Sequence, residues 1–421
     1  MSDFIESFIG VFRSFQEELR GKGMYSDAYC ADGKVTGPEI VLDKNMGQAL
    51  SFTSLGYLGI SECPEMREAV MANAKFYALG STSSRTVMDY NTHRCLEIAL
   101  ADFKRSETCL LLNTGYAASS YLMEVLISEF RAGYDRLPNK PKSMVFVDGL
   151  THISMLEALV HIKRRDKAYV KKYEHLNYEM LEDELKKTVD FTGARFIVSD
   201  SIFSMNGSCA DLRKMLELAK QYEAFIVLDN AHSDGCYGNE GRGLAEMHGI
   251  TSEEDLRYFF QAGTMSKAFG LLGGYVTLPY CISDLARVSC LPYVFSVAQS
   301  PFEAANALYA LSLIRSRIGE QKRRILAENT EMVHKNLNSM NFNTLNSNSH
   351  IIPVVIGEET KCLAVQKYLL EKHRILIGAV RFPAVKEGEA LLRLSITAMH
   401  NEEHIQRLLT ALLGAREKFD F

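Results

Sequence analysis

The sequence is short of everything that would take it outside the ordinary globular class. It has no apolar run approaching 18 residues, the length a membrane-spanning helix requires. Its start, MSDFIESFIGVFRSFQEELR, carries Asp3 and Glu6 where a secretory signal has a basic stretch followed by an apolar one. The nine cysteines, at 30, 63, 95, 109, 209, 236, 281, 290 and 362, include no CxxC pair, so neither a disulfide framework nor a clustered zinc site is indicated. Positive charge is not in excess. The 47 Lys and Arg against 52 Asp and Glu leave a net −5, which removes the global field that gathers nucleic acid or anionic membrane. No internal repeat, Gly/Ser linker or low-complexity tract interrupts the chain. These absences point to a cytoplasmic protein with reduced thiols, no membrane span and no nucleic-acid partner, acting on small molecules or with other proteins.

What is present is the balance of a folded protein, 47% hydrophobic and 24% charged, in a chain of 421 residues that exceeds what one small core serves. Phe4, Ile5, Phe8, Ile9, Phe12 and Phe15 recur at helical spacing and predict an amphipathic helix packed on the body or on a partner. From Glu65 to Ile314 short β-branched runs alternate with helical stretches. Thr108–Leu112, Ser143–Val147, Arg195–Ser199 and Phe225–Asp229 read as buried strands, and Tyr116–Phe130 and Leu212–Tyr222 as helices. Because parallel strands need crossovers, this alternation predicts an α/β fold, a mostly parallel sheet with helices on both faces and ligands at the carboxyl ends of its strands. Past Pro301 the texture changes to a long charged helical stretch through Met340, an Asn/Ser-rich loop at Asn341–Ser349, and strands at Ile351–Ile356, Arg374–Val380 and Leu392–Thr397. A smaller α+β C-terminal domain is expected. The division anticipated is an N-terminal helix and arm over 1–50, a large domain over 51–295 and a small one over 296–421.

Two segments carry chemistry. In Gly263-Thr264-Met265-Ser266-Lys267-Ala268-Phe269-Gly270 a lysine lies between small residues, straight after a strand. A lysine that forms a Schiff base needs that setting, because its amine must be reachable yet desolvated enough to lose its proton. Taken alone the segment also describes a solvated loop lysine. In Phe225-Ile226-Val227-Leu228-Asp229-Asn230-Ala231-His232 a buried strand ends on an acid, with a histidine three residues on. A carboxylate there needs a partner. A pyridinium nitrogen is one, as in enzymes that use pyridoxal 5'-phosphate (PLP); a cap on the following turn is the other reading. The 38 residues from Asp229 to Lys267 leave room for a helix and a strand, which would return the lysine to the same end of the sheet.

At these residues the sequence resembles a known family. LDNAHSDGCYGNEGRG at 228–243 and GTMSKAFGLLGG at 263–274 are similar to the PLP-binding core of the α-oxoamine synthases, within the fold-type-I PLP transferases. Six further blocks agree in order: TSLGYLGISECP at 53–64, GSTSSRTVMDYNTHRCLEIALADF at 80–103, NTGYAASSYLMEVL at 113–126, VDGLTHISMLEAL at 147–159, SDSIFSMNGSCADL at 199–212 and LLRLSITAMH at 391–400. The resemblance implies an enzyme, a PLP-dependent acyltransferase that condenses an amino acid with an acyl thioester, usually acyl-CoA or else an acyl carrier protein, to give CO2, free thiol and an α-aminoketone. It implies that Lys267 holds the cofactor as a Schiff base and then acts as base on the substrate. Asp229 pairs with the pyridine nitrogen, His232 meets the phenolic oxygen, His152 stacks over the ring and Ser204 lies near it. The phosphate is assigned to the N-terminus of the helix at Gly115 and Tyr116, where free N–H groups face an anion, with Thr264 and, from the neighbouring subunit of a homodimer with shared active sites, Ser296. Arg393 receives the substrate carboxylate, for which a guanidinium is suited.

Departures bear on the substrate. Leu55-Gly56 stand where relatives have a polar pair, Asp89 where glycine is common, Leu391 where many have a second arginine, and Val297 and Ala298 where further hydroxyls are usual. The rival functions are an aminotransferase of the same fold and a non-catalytic scaffold subunit of the family; retention of Lys267, Asp229, His232 and His152 argues against the second. His400-Asn401-Glu402-Glu403-His404 fits H-x-x-E-H, yet an acidic pair also suits the first turn of a helix, and no metal is expected. The glycines at 235, 238, 241 and 243 lack the dinucleotide-binding spacing and read as tight turns.

Overall fold

The computed structural model describes residues 2–21, 31–36, 38–42, 47–127 and 142–421. The chain forms two compact units. The larger comprises 55–204 and 208–326, the smaller 1–54, 205–207 and 327–421.

The larger unit is organised by a seven-stranded sheet of β4 (Thr108–Leu112), β5 (Ser143–Asp148), β6 (Ala168–Tyr173), β7 (Arg195–Asp200), β8 (Ala224–Asp229), β9 (Phe259–Thr264) and β10 (Gly274–Leu278), in the spatial order β4-β10-β9-β8-β7-β5-β6. All neighbours are parallel except β10, which runs antiparallel to both β4 and β9. The runs Leu110-Leu111-Leu112, Val145-Phe146-Val147, Ile197-Val198 and Ile226-Val227-Leu228 are buried, as strands covered on both faces must be. Helices Gly115–Ile127 and Ile153–Arg164 pack Leu122, Val125, Met155 and Leu159 against the sheet. Each such side chain contributes about 1.5–3 kcal/mol when fully buried. The anticipated helix over Tyr116–Phe130 starts at Gly115 and is described to Ile127; its last three residues lie outside the described set.

The smaller unit holds two sheets. One is β1 (Ala31–Thr36), β2 (Glu39–Leu42), β3 (Gln48–Ser51) and β12 (Ile375–Leu376); the other is β11 (Ile351–Gly357), β14 (Ala390–Ser395) and β13 (Gly378–Val380). The strand expected over Arg374–Val380 is broken at Ile377 into β12 and β13, which belong to different sheets. The parallel pairing of β3 with β12 explains a difference from the anticipated division: the first 54 residues join the C-terminal part instead of forming an arm of their own. The later boundary falls at 326/327, inside the helix Arg317–Ser339, and not at 295/296. The N-terminal helix, Ser2–Gly21, is present, and Phe8, Phe12 and Phe15 on its apolar side are more than half exposed among the described residues. No described helix is long and apolar enough to cross a membrane.

Candidate active site

Because β4, β5, β7, β8 and β9 point the same way, their carboxyl ends share one edge of the sheet, and the residues after each strand converge there. β4 leads to Gly115, β5 to His152, β7 to Ser204, β8 ends on Asp229 and leads to His232, and β9 leads to Lys267. The register places Asp200 opposite Asp229, and Asp229 opposite Ala262, so β7 and β8 end level while β9 runs two residues further, to Thr264.

The tightest constellation is a line of three side chains. Lys267 Nζ lies 2.9 Å from His232 Nε2, and His232 Nδ1 lies 2.7 Å from Tyr57 Oη. Both ring nitrogens of a buried imidazole are thereby engaged, one of them by the amine. Asp229, nearly buried, accepts from Ser119 Oγ at 2.9 Å on one oxygen and from the Ala231 N–H at 2.9 Å on the other, which fixes the plane of its carboxylate.

His152 caps the Ile153–Arg164 helix, its Nδ1 accepting from the Ser154 N–H, while its own N–H donates to Asp200 Oδ1 at 3.1 Å. Burial pushes its imidazole below the usual range; the Asp229 carboxylate opposes this and Lys267 reinforces it. The ring is therefore neutral near pH 7 and sits in the field of both groups. Asp200 is held well above the ordinary carboxylate range by its burial and by the charge of Asp229.

The Gly115–Ile127 helix presents its N-terminus at the same edge, where the first N–H groups lack helical partners. A Cβ on Gly115 would lie 2.6 Å from Thr264 Cβ, so only glycine lets the helix start this close to the end of β9. Thr264 Oγ1 is 2.8 Å from Ser266 Oγ and donates to Gly273 O at 3.1 Å. Tyr116, in the first turn, donates its hydroxyl to Glu157. Ser296 of the same chain accepts from Asn113 Nδ2 at 3.4 Å, two residues before that helix. Ser204 follows β7 and is half-buried.

Arg393 belongs to the smaller unit, on β14, where its Nη1 donates to Ser395 Oγ at 2.8 Å. His400 stacks on Phe52 at 4.3 Å, takes the Thr397 N–H on Nδ1 and lies 3.0 Å from Ser51 O through Nε2; His404 completes the capping box of the Glu402–Phe419 helix, its Nδ1 accepting from the N–H of the cap residue Asn401. Both histidines of the H-x-x-E-H pattern thus have structural tasks. Asp89, a departure from relatives, accepts from Arg85 at 2.9 Å and from Arg94 at 3.0 Å.

Sequence reasoning missed Tyr57, Ser119 and Asp200. Tyr57 is 175 residues from His232, and no spacing rule joins them. Asp200 left a usable signal, since β5, β7 and β8 all end on aspartate. Their partners separate them. Asp148 is engaged by the Leu150 and Leu176 N–H groups and by His175, whereas Asp200 holds His152 and Asp229 faces the lysine's neighbourhood.

Residues 53–412 match the protein-family model described as aminotransferase class I and II. The chain is 32% identical over 375 residues to the 8-amino-7-oxononanoate synthase of Symbiobacterium thermophilum, covering 89% of each chain. It is 30% identical over 377 residues to 8-amino-7-oxononanoate synthase 1 of Bacillus subtilis, covering 89% of this chain and 90% of that one. Among solved structures, a serine palmitoyltransferase variant from S. paucimobilis with a bound PLP–myriocin aldimine superposes with a TM-score of 0.84 at 25% identity, covering 98% of both chains. Since likeness of this degree runs along nine-tenths of the sequence and takes in every strand that delivers the site, the chain belongs to the α-oxoamine synthases, the PLP-dependent acyltransferases of the aminotransferase class I and II family.

Proposed function

We propose that this protein joins the α-carbon of an amino acid to the acyl group of a thioester, releasing CO2 and free thiol and leaving an α-aminoketone. The observation that carries the reading is the 2.9 Å approach of Lys267 Nζ to His232 Nε2 beside a buried strand-end carboxylate. The residues fit PLP: a reachable amine for its aldehyde, the Asp229 carboxylate for its ring nitrogen, and a helix N-terminus opened by glycine for its phosphate. When bound, PLP supplies the electron sink that makes the α-proton and the carboxylate of the amino acid labile.

Within this reading the protein's own groups hold, orient and move protons. Asp229, fixed by Ser119 and Ala231, would hold the ring nitrogen, His152 would cover the ring, His232 and Ser204 would serve its phenolic oxygen, and Gly115, Tyr116, Thr264 and Ser296 would hold the phosphate. Lys267 Nζ takes the substrate α-proton, and His232, steadied at its far nitrogen by Tyr57, sets how readily that amine accepts it. Arg393 receives the substrate carboxylate in a bidentate grip. A homodimer with shared sites is supported by the apolar surface beside this edge: Phe295 and Val297, on either side of Ser296, are 80% and 54% exposed. The free cysteines among the described residues fit a cytoplasmic location. Leu55-Gly56 in place of a polar pair favours an acyl-chain user, of the oxononanoate, sphingoid or autoinducer-like kind.

The test is a thiol-release screen of the holoenzyme with glycine, alanine and serine crossed with acyl thioesters of graded length. One pair should release thiol and CO2 in equal amounts, and Lys267→Ala should abolish both. Transfer of the amino group to a keto acid with no thiol released in any combination would make the protein an aminotransferase instead.

A further inference from the structure

The neighbouring strands β5, β7 and β8 all end on aspartate, and the chemistry above uses one of the three, Asp229. Asp148 is engaged by two loop N–H groups and by His175. Asp200 is 2% exposed, and among the described residues its carboxyl has a single donor, the His152 N–H, 3.1 Å from Oδ1. A buried acid beside the site with so little to hold it calls for an account.

Asp200 and Asp229 stand opposite each other in the β7–β8 register, and neighbouring strands lie about 4.8 Å apart. Side chains opposite in register share a face of the sheet. Val198 and Val227, two positions back on each strand, are buried on that face with Leu122 and Met155, which belong to the two helices covering it. The two carboxyls therefore rise side by side, Asp229 to Ser119 of the Gly115–Ile127 helix and Asp200 to His152, the cap of the Ile153–Arg164 helix.

Two carboxylates this close in a buried setting repel, and the repulsion is relieved when one of them keeps a proton. Donors decide which one, because a hydrogen bond to a carboxylate favours its anion. Asp229 accepts on both oxygens, from Ser119 and from the Ala231 N–H, whereas Asp200 accepts on one. The charges around Asp200 agree with this. Burial raises it well above the ordinary range, the charges of Asp229 and Asp148 add to the rise, and the His152 N–H and Lys267 oppose it.

We propose that Asp200 is a positioning residue for His152: its carboxyl stays protonated, its carbonyl oxygen pins the His152 backbone beside the site, and the negative charge at this pair of strand ends is left to Asp229. The proposal rests on the PLP reading of the site and on His152 as the cover of the ring. An uncharged Asp200 does not compete with Asp229 for the proton on the ring nitrogen, yet it still fixes where the cover starts.

The experiment compares the PLP-loaded parent with Asp200→Asn, which keeps a carbonyl oxygen and carries no charge, and with Asp200→Ala, which removes the acceptor. Infrared difference spectra of parent against Asp200→Asn near pH 7 should show a protonated-carboxyl stretch in the parent, displaced when aspartate is isotope-labelled at its carboxyl. Asp200→Asn should bind PLP within about twofold of the parent, with the same visible circular dichroism, while Asp200→Ala should bind it about tenfold or more weakly and lose the dichroism. The pH midpoint of the cofactor absorbance should stay in place in Asp200→Asn. A carboxylate stretch instead of the protonated one, or a midpoint about half a unit or more lower, would show that an anion had been removed, and would overturn the proposal. Parent-like PLP binding and dichroism in Asp200→Ala would overturn it too, because His152 would then be seated without Asp200. The infrared comparison needs only the parent and Asp200→Asn, so it decides the charge even where Asp200→Ala does not fold. None of these readouts uses an acyl donor: a protein that shows all of them and turns over no thioester would uphold the role of Asp200 and sink the synthase reading.

Discussion

Lys104 and Asp234 offer the sharpest test of what holds the site's scaffold. Lys104 Nζ donates to Asp234 Oδ1 at 2.6 Å and to Arg242 O at 2.8 Å, and Tyr275 donates its hydroxyl to the other carboxylate oxygen. The two charged side chains are 2% and 1% exposed. Burial raises the pKa of Asp234 and Lys104 opposes it, so removing the cation leaves a buried carboxylate with a hydroxyl for company. Lys104→Met keeps the volume and deletes the charge. Breaking one side of a buried pair costs about 3–5 kcal/mol, and at roughly 2–3 °C per kcal/mol for a unit this large the thermal midpoint should fall by about 6–15 °C. The sign of the pH dependence follows from the raised pKa. A carboxyl that titrates higher in the folded state favours folding more as pH falls, so the deficit relative to the parent should be larger at pH 7.5 than at pH 5.5. Calorimetry at the two pH values reads both quantities. Lys104→Met with Asp234→Asn should lose less than the two single changes added together. A midpoint within about 2 °C of the parent at pH 7.5, or a deficit that grows on acidification, would refute the reasoning. Asp234 closes the turn that carries His232, its N–H donating to Asn230 O at 3.1 Å, so the single variant should also hold PLP less firmly.

Gly115→Ala would set a methyl 2.6 Å from Thr264 Cβ and strain the helix start by about 1–3 kcal/mol; PLP affinity, followed by absorbance titration, should weaken roughly 5- to 100-fold, and an unchanged affinity would separate the phosphate from this helix. His400 is pushed down to about 4 by burial, with the Ser51 carbonyl opposing and His404 adding to the shift, so it is neutral when folded and takes up a proton more readily when unfolded. Its contribution to the smaller unit is intact above pH 6.5 and is lost as pH falls toward 4, by about 3 kcal/mol in all. Amide exchange in β11 and β14 should speed accordingly, and His400→Gln should flatten the trend; an equal slope in both proteins would show that another group titrates.

The sequence by itself determined the α/β alternation, the buried runs of β4, β5, β7 and β8, and Lys267 and Asp229, because these are written in local pattern: period, burial on both faces, and a polar residue at the end of an apolar run. The resemblance added His152 and His232 for the same reason, as they stand in contiguous blocks. Tertiary structure decided the rest. Tyr57 meets His232 across 175 residues, Ser119 turns from an apolar helix to Asp229, and Lys104 finds Asp234 across 130, all through contacts that no spacing encodes. The same holds for the break of Arg374–Val380 into two sheets and the recruitment of the N-terminal strands beside β12. A strand's propensity is set by its own residues, but its neighbour is chosen by the free edge that the folded chain presents. Strand-end acids make the point most plainly: β5, β7 and β8 finish alike in sequence, and only the donors that surround each aspartate assign one to a loop, one to a histidine's backbone and one to the site.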